Sequence, residues 1–442
     1  MLSGLRLKNF KCFADTGDAP LAPLTPIFGK NNSGKSTVLH SILLLRQTID
    51  AGIGAGLSLD GPLYAAGGYS DLVHQHQAAR HIEMSFSLQS PDQKEARKVE
   101  MEFSANEPNP PRLTRLEITF SEAGRVALRR GRGAGGPFEL FIGERRVGRA
   151  REAGFHFVES RFFPFIYPLP EGTQPLPEGT QPSDQQARNS ARRVIASFEN
   201  LLLNTRTVGA FRKRPERRYD FHGVLPGLLD VAGENVVAAL IEDATRRRAK
   251  RELARALNRW LAQIGRVRLL PIRRLSPRAR IFELRLRDLD SGRWANFADM
   301  GFGIGQAFPV LVEGLRTPRG GILLVQEPEI HLHPDAQLAM ADFLVDLVES
   351  GRQVVVETHS ENILLRVRSR LLKARRRSRS KLRLSPEAVQ VLYVDKATTG
   401  ESTITPLQID ALGQVVGWPA GFMEEATKER LAVMRALSSS TK

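Results

Sequence analysis

Cysteine is nearly absent: Cys12 stands alone in a chain of 442 residues. An internal disulfide is therefore excluded, and the scarcity of thiols fits a reducing compartment. No apolar run approaches the roughly 18 residues a membrane helix needs. Met1 to Phe10 also lacks the apolar core of a secretion signal. The expectation is a cytoplasmic protein with no membrane partner. Aromatic residues make up only 7%, yet the hydrophobic share of 41% and the charged share of 25% are those of an ordinary globular chain. The length suits two or three domains.

Negative charge is in deficit, since 64 Lys/Arg face 48 Asp/Glu. The imbalance is local. From Arg206 to Arg287 there are 21 Lys/Arg against 8 Asp/Glu, and from Arg366 to Arg383 there are 10 basic residues and no acidic one. The remainder of the chain is net negative. Two such segments attract polyanions, and DNA is the expected partner, with affinity gained from counterion release. A merely solvated Arg-rich surface is the plainer alternative.

Alternation of apolar and polar residues in Leu5–Phe13 predicts a strand, and Leu24–Phe28 a second that runs into a glycine loop. A helix is predicted over about 35–48, with Val38, Leu39, Ile42, Leu43 and Leu45 on its buried side. Residues from about 80 to 160 read as strands broken by Gly and Pro. Pro168–Gln174 is repeated verbatim as Pro175–Gln181, which predicts a flexible surface loop. Helical patterns follow at about 184–204 and 232–264. The last third alternates strand, helix and strand over 321–326, 334–349 and 353–357, the signature of a mostly parallel sheet. No long heptad run accompanies it, so no long coiled-coil arm is expected.

The strongest chemical signal is Gly29-Lys30-Asn31-Asn32-Ser33-Gly34-Lys35-Ser36, followed by Thr37. It fits G-x-x-x-x-G-K-[ST] between a strand and an amphipathic helix. Amide N–H groups of such a loop wrap phosphate, Lys35 reaches the β- and γ-phosphates, and the Ser36 hydroxyl binds Mg²⁺. The helix N-terminus adds its dipole. ATP and Mg²⁺ are the expected ligands.

Ile322–Val325 reads as a buried strand that delivers acid to the same site. Its end carries Gln326 at the Mg²⁺-side position, then Glu327, the candidate base, and Glu329 as a substitute two residues on. His359 ends the next apolar strand, where an imidazole could hydrogen-bond a γ-phosphate, although a lone histidine after a strand is more often structural. His331 and His333, without a third ligand at suitable spacing, read as a packed turn rather than a metal site. Gly301-Phe302-Gly303-Ile304-Gly305-Gln306 precedes a helical stretch and suits a phosphate again.

Taken in order, these pieces resemble the RecF-type and SMC-type ATPases, and among them the OLD-like (overcoming lysogenization defect) branch. Leu7–Phe13 resembles the first strand of that group and Gly29–Ser36 its nucleotide loop. Gly301–Gln306 resembles its degenerate ABC signature, Glu327–Pro334 its strand-end motif, and Thr358-His359-Ser360 its histidine switch. Phe211–Arg217 and Trp418–Met423 resemble segments of one bacterial subfamily with an uncharacterised C-terminal domain.

The resemblance implies an α/β fold: an ABC/SMC-type P-loop head with a mostly parallel central sheet, an antiparallel β subdomain and a helical insertion. The corresponding divisions are 1–165, 166–285, 286–395 and a small C-terminal domain at 396–442. It also implies a head-to-tail homodimer, or a higher oligomer, closed around ATP. Lys35 and Ser36 would hold phosphate and Mg²⁺ together with Gln326. Glu327 would act as base and His359 as γ-phosphate switch, while Gly303, Gly305 and Gln306 reach the nucleotide of the partner. Gln326 in place of an acid implies slow hydrolysis. After His359 the sequence holds no Asp-x-Asp, so no nuclease is expected in this chain. Relatives of this short type sit in anti-phage systems beside a separate effector, and a sensor or switch role follows. A RecF-like repair or replication ATPase and a non-hydrolysing ATP-dependent scaffold are the alternatives.

Overall fold

The computed structural model describes the chain apart from residues 53, 55, 91–92, 106–110, 122–123, 132–135, 153–154, 158–160, 167–181, 224–230, 246–251, 277–279, 377–383, 411–412, 420–428, 430–431 and 434–442. The repeated segment 168–181 and nearly half of the expected C-terminal domain therefore lie outside the described residues, as do residues 377–383 of the Arg366–Arg383 run.

The aliphatic runs ending at Gly29, Gln326 and Glu357 build the centre of a seven-stranded sheet. Its order is Thr205–Val208, Ile322–Gln326, Gln353–Glu357, Leu24–Gly29, Val391–Lys396, Ser402–Ile409 and Val415–Val416. The first five strands are parallel and the last two are antiparallel additions. Strands of this kind are buried on both faces, which is why they read as continuous rather than alternating apolar runs. Period two still decides which core each side chain enters. Ile322, Leu324 and Val355 face one core, whereas Leu323, Val325, Val354 and Val356 face the other.

The first core lies between the central sheet and a nine-stranded antiparallel sheet. In the latter the strands from Ile82–Ser90 to Arg145–Arg149 run as a meander beside Leu2–Phe10. The expected single opening strand is interrupted: Asn9 and Lys11 take left-handed backbone at φ 53° and 51°, and the chain turns back as Phe13–Asp15. Lys35–Ala51 fills the space between the two sheets and is buried almost all round, from Val38 through Thr48, His40 excepted. Each of its Leu and Ile side chains contributes roughly 1.5–3 kcal/mol by leaving water. Its polar residues are satisfied internally: Gln47 donates to the carbonyls of Ser58 and Tyr64 and accepts from the Tyr64 amide. The helix ends at Gly52, whose left-handed φ of 63° lets its amide return to the Ile49 carbonyl.

The region expected as one insertion, 166–285, is distributed. Helix Pro182–Leu203 packs on the meander and on Lys35–Ala51, and Thr205–Val208 joins the central sheet at its edge. Helices Val236–Thr245 and Glu252–Ile264 enter the second core with Phe302–Arg316 and Pro334–Glu349. Among the described residues, no helix is long and apolar enough to cross a membrane.

Candidate functional site

Because the central strands are parallel, their carboxyl ends share one edge, and the polar residues that follow them meet there. The loop after Leu24–Gly29 is tight. Gly29 has φ 151°, and a Cβ there would fall 2.1 Å from the Val394 carbonyl oxygen. Gly34 has φ 102°, and its Cβ would strike Cys12 Sγ at 2.4 Å. Both positions therefore require glycine on contact grounds as well as conformational ones. Asn31 and Asn32 are exposed at the loop tip, with Asn32 at φ 61°. Thr37 turns its hydroxyl to Cys12, with Sγ 3.7 Å away.

Lys35 folds back over the loop, donating to the carbonyls of Gly29 at 3.1 Å and Lys30 at 2.8 Å. Burial pushes its ammonium pKa down, against the opposing pull of Glu357 and Glu327. The Ser33 hydroxyl is buried in the loop without a partner. A tight glycine loop at a helix N-terminus, an ammonium donating to two of its carbonyls and an orphaned hydroxyl suit a polyphosphate.

Glu327 leaves its strand in left-handed backbone, at φ 45°, with its amide on the Glu357 carbonyl at 2.8 Å. Such a conformation costs on the order of 1 kcal/mol for a non-glycine residue, and is kept because the surroundings impose it. It turns the carboxylate toward His359, whose Nε2 lies 3.9 Å from Glu327 Oε1. Burial first, and then the charge of Lys35, lower the His359 pKa below its usual value. The ring is consequently neutral near pH 7, with one nitrogen to donate and one to accept. Glu329 does not reach the loop. Its Oε1 accepts from the Thr358 hydroxyl and the His359 amide, both at 2.7 Å, so it fixes the backbone at Thr358 and His359 instead.

Two residues passed over in the sequence matter here. Glu357, buried at 5% exposure, pairs in register with Gln326 on the adjacent strand. It accepts the Ser36 hydroxyl at 2.8 Å and the Gln326 side-chain amide at 2.9 Å. Gln326 thus turns its nitrogen to Glu357, while its oxygen lies on the Gly209 side. The expectation of Gln326 as a Mg²⁺ ligand is corrected accordingly: an amide nitrogen is a donor and cannot ligate a cation.

The second residue is Arg212. Its guanidinium donates to the carbonyls of Gly209, Gln306, Gln326 and Glu327. Burial lowers its pKa to about 10. It ties the start of helix Phe302–Arg316 to the end of strand Ile322–Gln326. A basic residue in an Arg-rich stretch reads as solvent-facing, and only the fold turns this one inward.

The glycine-rich segment is corrected in part. Gln306 is buried at 3% exposure and lies under the Arg212 backbone. Gly305 is buried against Pro215, which a Cβ would approach to 3.0 Å. Helical period turns these two inward, so they offer nothing to a partner subunit. Gly303 fits against the His331 carbonyl, 2.5 Å from an added Cβ, and remains partly open with exposed Gly301 and Phe302. His331 stacks edge-on against Phe302 at 4.5 Å, and His333 caps helix Pro334–Glu349. Both histidines stand at a turn as expected, but both are exposed rather than packed.

The basic segments are partly neutralised within the fold. Arg206 pairs with Glu313, Lys213 with Glu216, Arg217 with Asp299, Arg266 with Asp290 and Arg273 with Glu283. Arg366 and Arg370 lie on the acidic face of helix Pro334–Glu349 through Asp342, Asp346 and Glu349.

A nucleotide loop, a strand-end acid and a histidine on the next strand, all at one edge of a mostly parallel sheet, define a P-loop ATPase head. Residues 1–106 and 267–364 match the family model described as AAA ATPase domain. An OLD nuclease of Thermus scotoductus (strain ATCC 700910 / SA-01) is 51% identical over 45 residues, 10% of this chain and 8% of that protein. The Old nuclease of Escherichia phage P2 is 44% identical over 43 residues, 10% of this chain and 7% of its own length. The chain therefore spans less than a tenth of either relative. Among solved structures it is similar to an SMC head domain from Thermotoga maritima, with 13% identity, TM-score 0.41 and 92% and 99% of the two chains covered. An SmcHead bound to the C-winged helix domain of ScpA shows 12% identity, TM-score 0.44 and coverage of 92% and 98%. The matched residues are thus similar to an AAA ATPase domain, and short segments are similar to OLD nucleases.

Proposed function

We propose that the chain binds and slowly hydrolyses ATP, dimerises around it, and acts as a DNA-linked sensor or switch. Its output is a separate effector, a nuclease or toxin, in bacterial anti-phage defence. The observation that carries the ATP reading is the meeting of Lys35, Ser36, Glu327 and His359 at one sheet edge. Glu327 takes the proton of the attacking water, and neutral His359 hydrogen-bonds the γ-phosphate. Ser36 would hold Mg²⁺, which would supply positive charge to the β- and γ-phosphates. Phosphate contacts from Gly29 to Ser36 position the nucleotide in line, and Lys35 leaves its two carbonyls for the phosphates.

Exposed Gly301 and Phe302 and half-buried Gly303 are the face for a partner subunit's nucleotide. Slow turnover suits a switch, because a long-lived ATP state holds one arrangement in place. The DNA part rests on the net charge of the two basic segments. The effector reading rests on the likeness to OLD nucleases over short segments.

The test is ATP hydrolysis with and without double-stranded DNA, at low and moderate salt, against Lys35→Ala. Lys35-dependent turnover stimulated by DNA and relieved by salt is the expected result. A Lys35-dependent rate indifferent to DNA replaces DNA with a protein trigger. A rate unchanged in Lys35→Ala removes the ATPase reading.

A further inference from the structure

The strand that usually delivers acid to the Mg²⁺ side of such a site ends here in Gln326, a neutral amide. Yet the position beside the Ser36 hydroxyl is not neutral. Gln326 and Glu357 are direct neighbours on adjacent parallel strands. Ser36 Oγ donates to Glu357 Oε1, and the side-chain amide nitrogen of Gln326 donates to Glu357 Oε2. The carboxylate that the sequence lacks at one strand end is supplied from the next strand.

We infer that Glu357 is the Mg²⁺-side carboxylate of the nucleotide site, with Gln326 as the residue that holds it in place. Three observations carry this. The Ser36 hydroxyl spends its single proton on Glu357, which leaves both oxygen lone pairs free for a cation at the loop. Glu357 is buried, with both carboxylate oxygens already oriented by donors, so its charge sits in a low-dielectric setting where a nearby dication gains most. The third is the count of acids: Glu357 and Glu327 together restore two carboxylates at the loop, one for the metal side and one for the water. An outer partner that orients a metal-binding hydroxyl is worth about 10–100-fold in metal affinity. The inference rests on the reading that ATP binds at Gly29–Ser36 with Mg²⁺, and it removes the sequence argument for a non-hydrolysing scaffold, which stood on Gln326 alone.

The experiment measures ATP affinity of the full chain by titration calorimetry in Mg²⁺ and in EDTA. The variants are wild type, Glu357→Gln, Glu357→Asp, the exchange Gln326→Glu with Glu357→Gln, and Lys35→Ala. A metal role predicts that Glu357→Gln keeps its EDTA affinity within about twofold and loses about tenfold in Mg²⁺. A purely structural role would weaken both arms alike. The shortened carboxylate of Glu357→Asp weakens the Mg²⁺ arm in the same direction, and decides the matter alone if Glu357→Gln does not fold. The exchange variant, with acid and amide swapped between the strand ends, regains most of the Mg²⁺ dependence. An unchanged Mg²⁺-to-EDTA ratio in both Glu357 variants overturns the assignment, and a folded exchange variant that stays uncoupled overturns the division of roles with Gln326. EDTA affinity that ignores Lys35→Ala removes the nucleotide site itself, and this assignment with it, by a different signature.

Discussion

The two large sheets of this protein are built from the same kinds of strand and use them to opposite ends. In the central sheet, parallel pairing brings the carboxyl ends of Leu24–Gly29, Ile322–Gln326 and Gln353–Glu357 to one edge. The residues just beyond those ends, drawn from positions more than 300 apart in sequence, form one constellation. In the meander, antiparallel pairing sends successive strand ends to opposite edges. Its charges are instead strung along a half-exposed face: Arg115 alone meets Glu83, Glu102 and Glu117. Chemistry collects where topology collects strand ends, and ion pairs spread where it does not.

The comparison is tested most severely at the collected end. Glu327→Gln should lower ATP hydrolysis by about 10²–10⁴-fold while ATP binding stays close to wild type, as seen by comparing phosphate release with calorimetry. An unaltered rate would take the base role from Glu327. Arg212→Met should cost about 3 kcal/mol in urea denaturation, because it strands the carbonyls that the guanidinium joins between helix and strand end.

A smaller effect is expected from His40, on the helix that both sheets cover. Partial burial of its ring, and then the charge of Lys11, lower its pKa from 6.5 to about 4. The unfolded chain therefore binds a proton that the folded chain refuses. The stability His40 contributes is full above pH 6.5 and is lost as pH falls from there toward about 4. Urea midpoints measured from about pH 7.5 to about pH 5 should fall less steeply in His40→Phe, and an unchanged slope would remove this histidine from the acid sensitivity. Smallest of all, Arg115→Ala on the meander should cost no more than about 1 kcal/mol and leave ATP affinity untouched. A large loss there would mean that the meander is coupled to the site after all.

Much of the central sheet is legible locally. Pro334–Glu349 and Gln353–Glu357 have the bounds that their periodicity predicts. The nucleotide helix runs only three residues beyond the predicted 48, to Ala51, where Gly52 stops it. Lys35 and Ser36 are legible because a loop between a strand and a helix needs little beyond its own residues to assemble. Glu357 escaped for the opposite reason. It closes an apolar strand and has no partner within reach in sequence, so only pairing with Gln326 and the approach of Ser36 give it a role. Arg212 escaped because its neighbours are Arg and Lys, and composition places such a stretch in solvent. Gln306 was misread because a glycine-rich segment does not tell which of its residues the following helix will turn inward.

The sequence by itself determined the nucleotide loop, the strand–helix alternation and the residue types available at each strand end. All of these depend on contacts within a few residues, where spacing and backbone preference decide. The tertiary structure alone decided which strand end supplies the carboxylate at Ser36, that Arg212 lies inside, and how the basic segments are divided between ion pairs and surface. Those outcomes depend on strand order in a parallel sheet, a long-range property whose partners are set by packing and by the need to satisfy every buried charge.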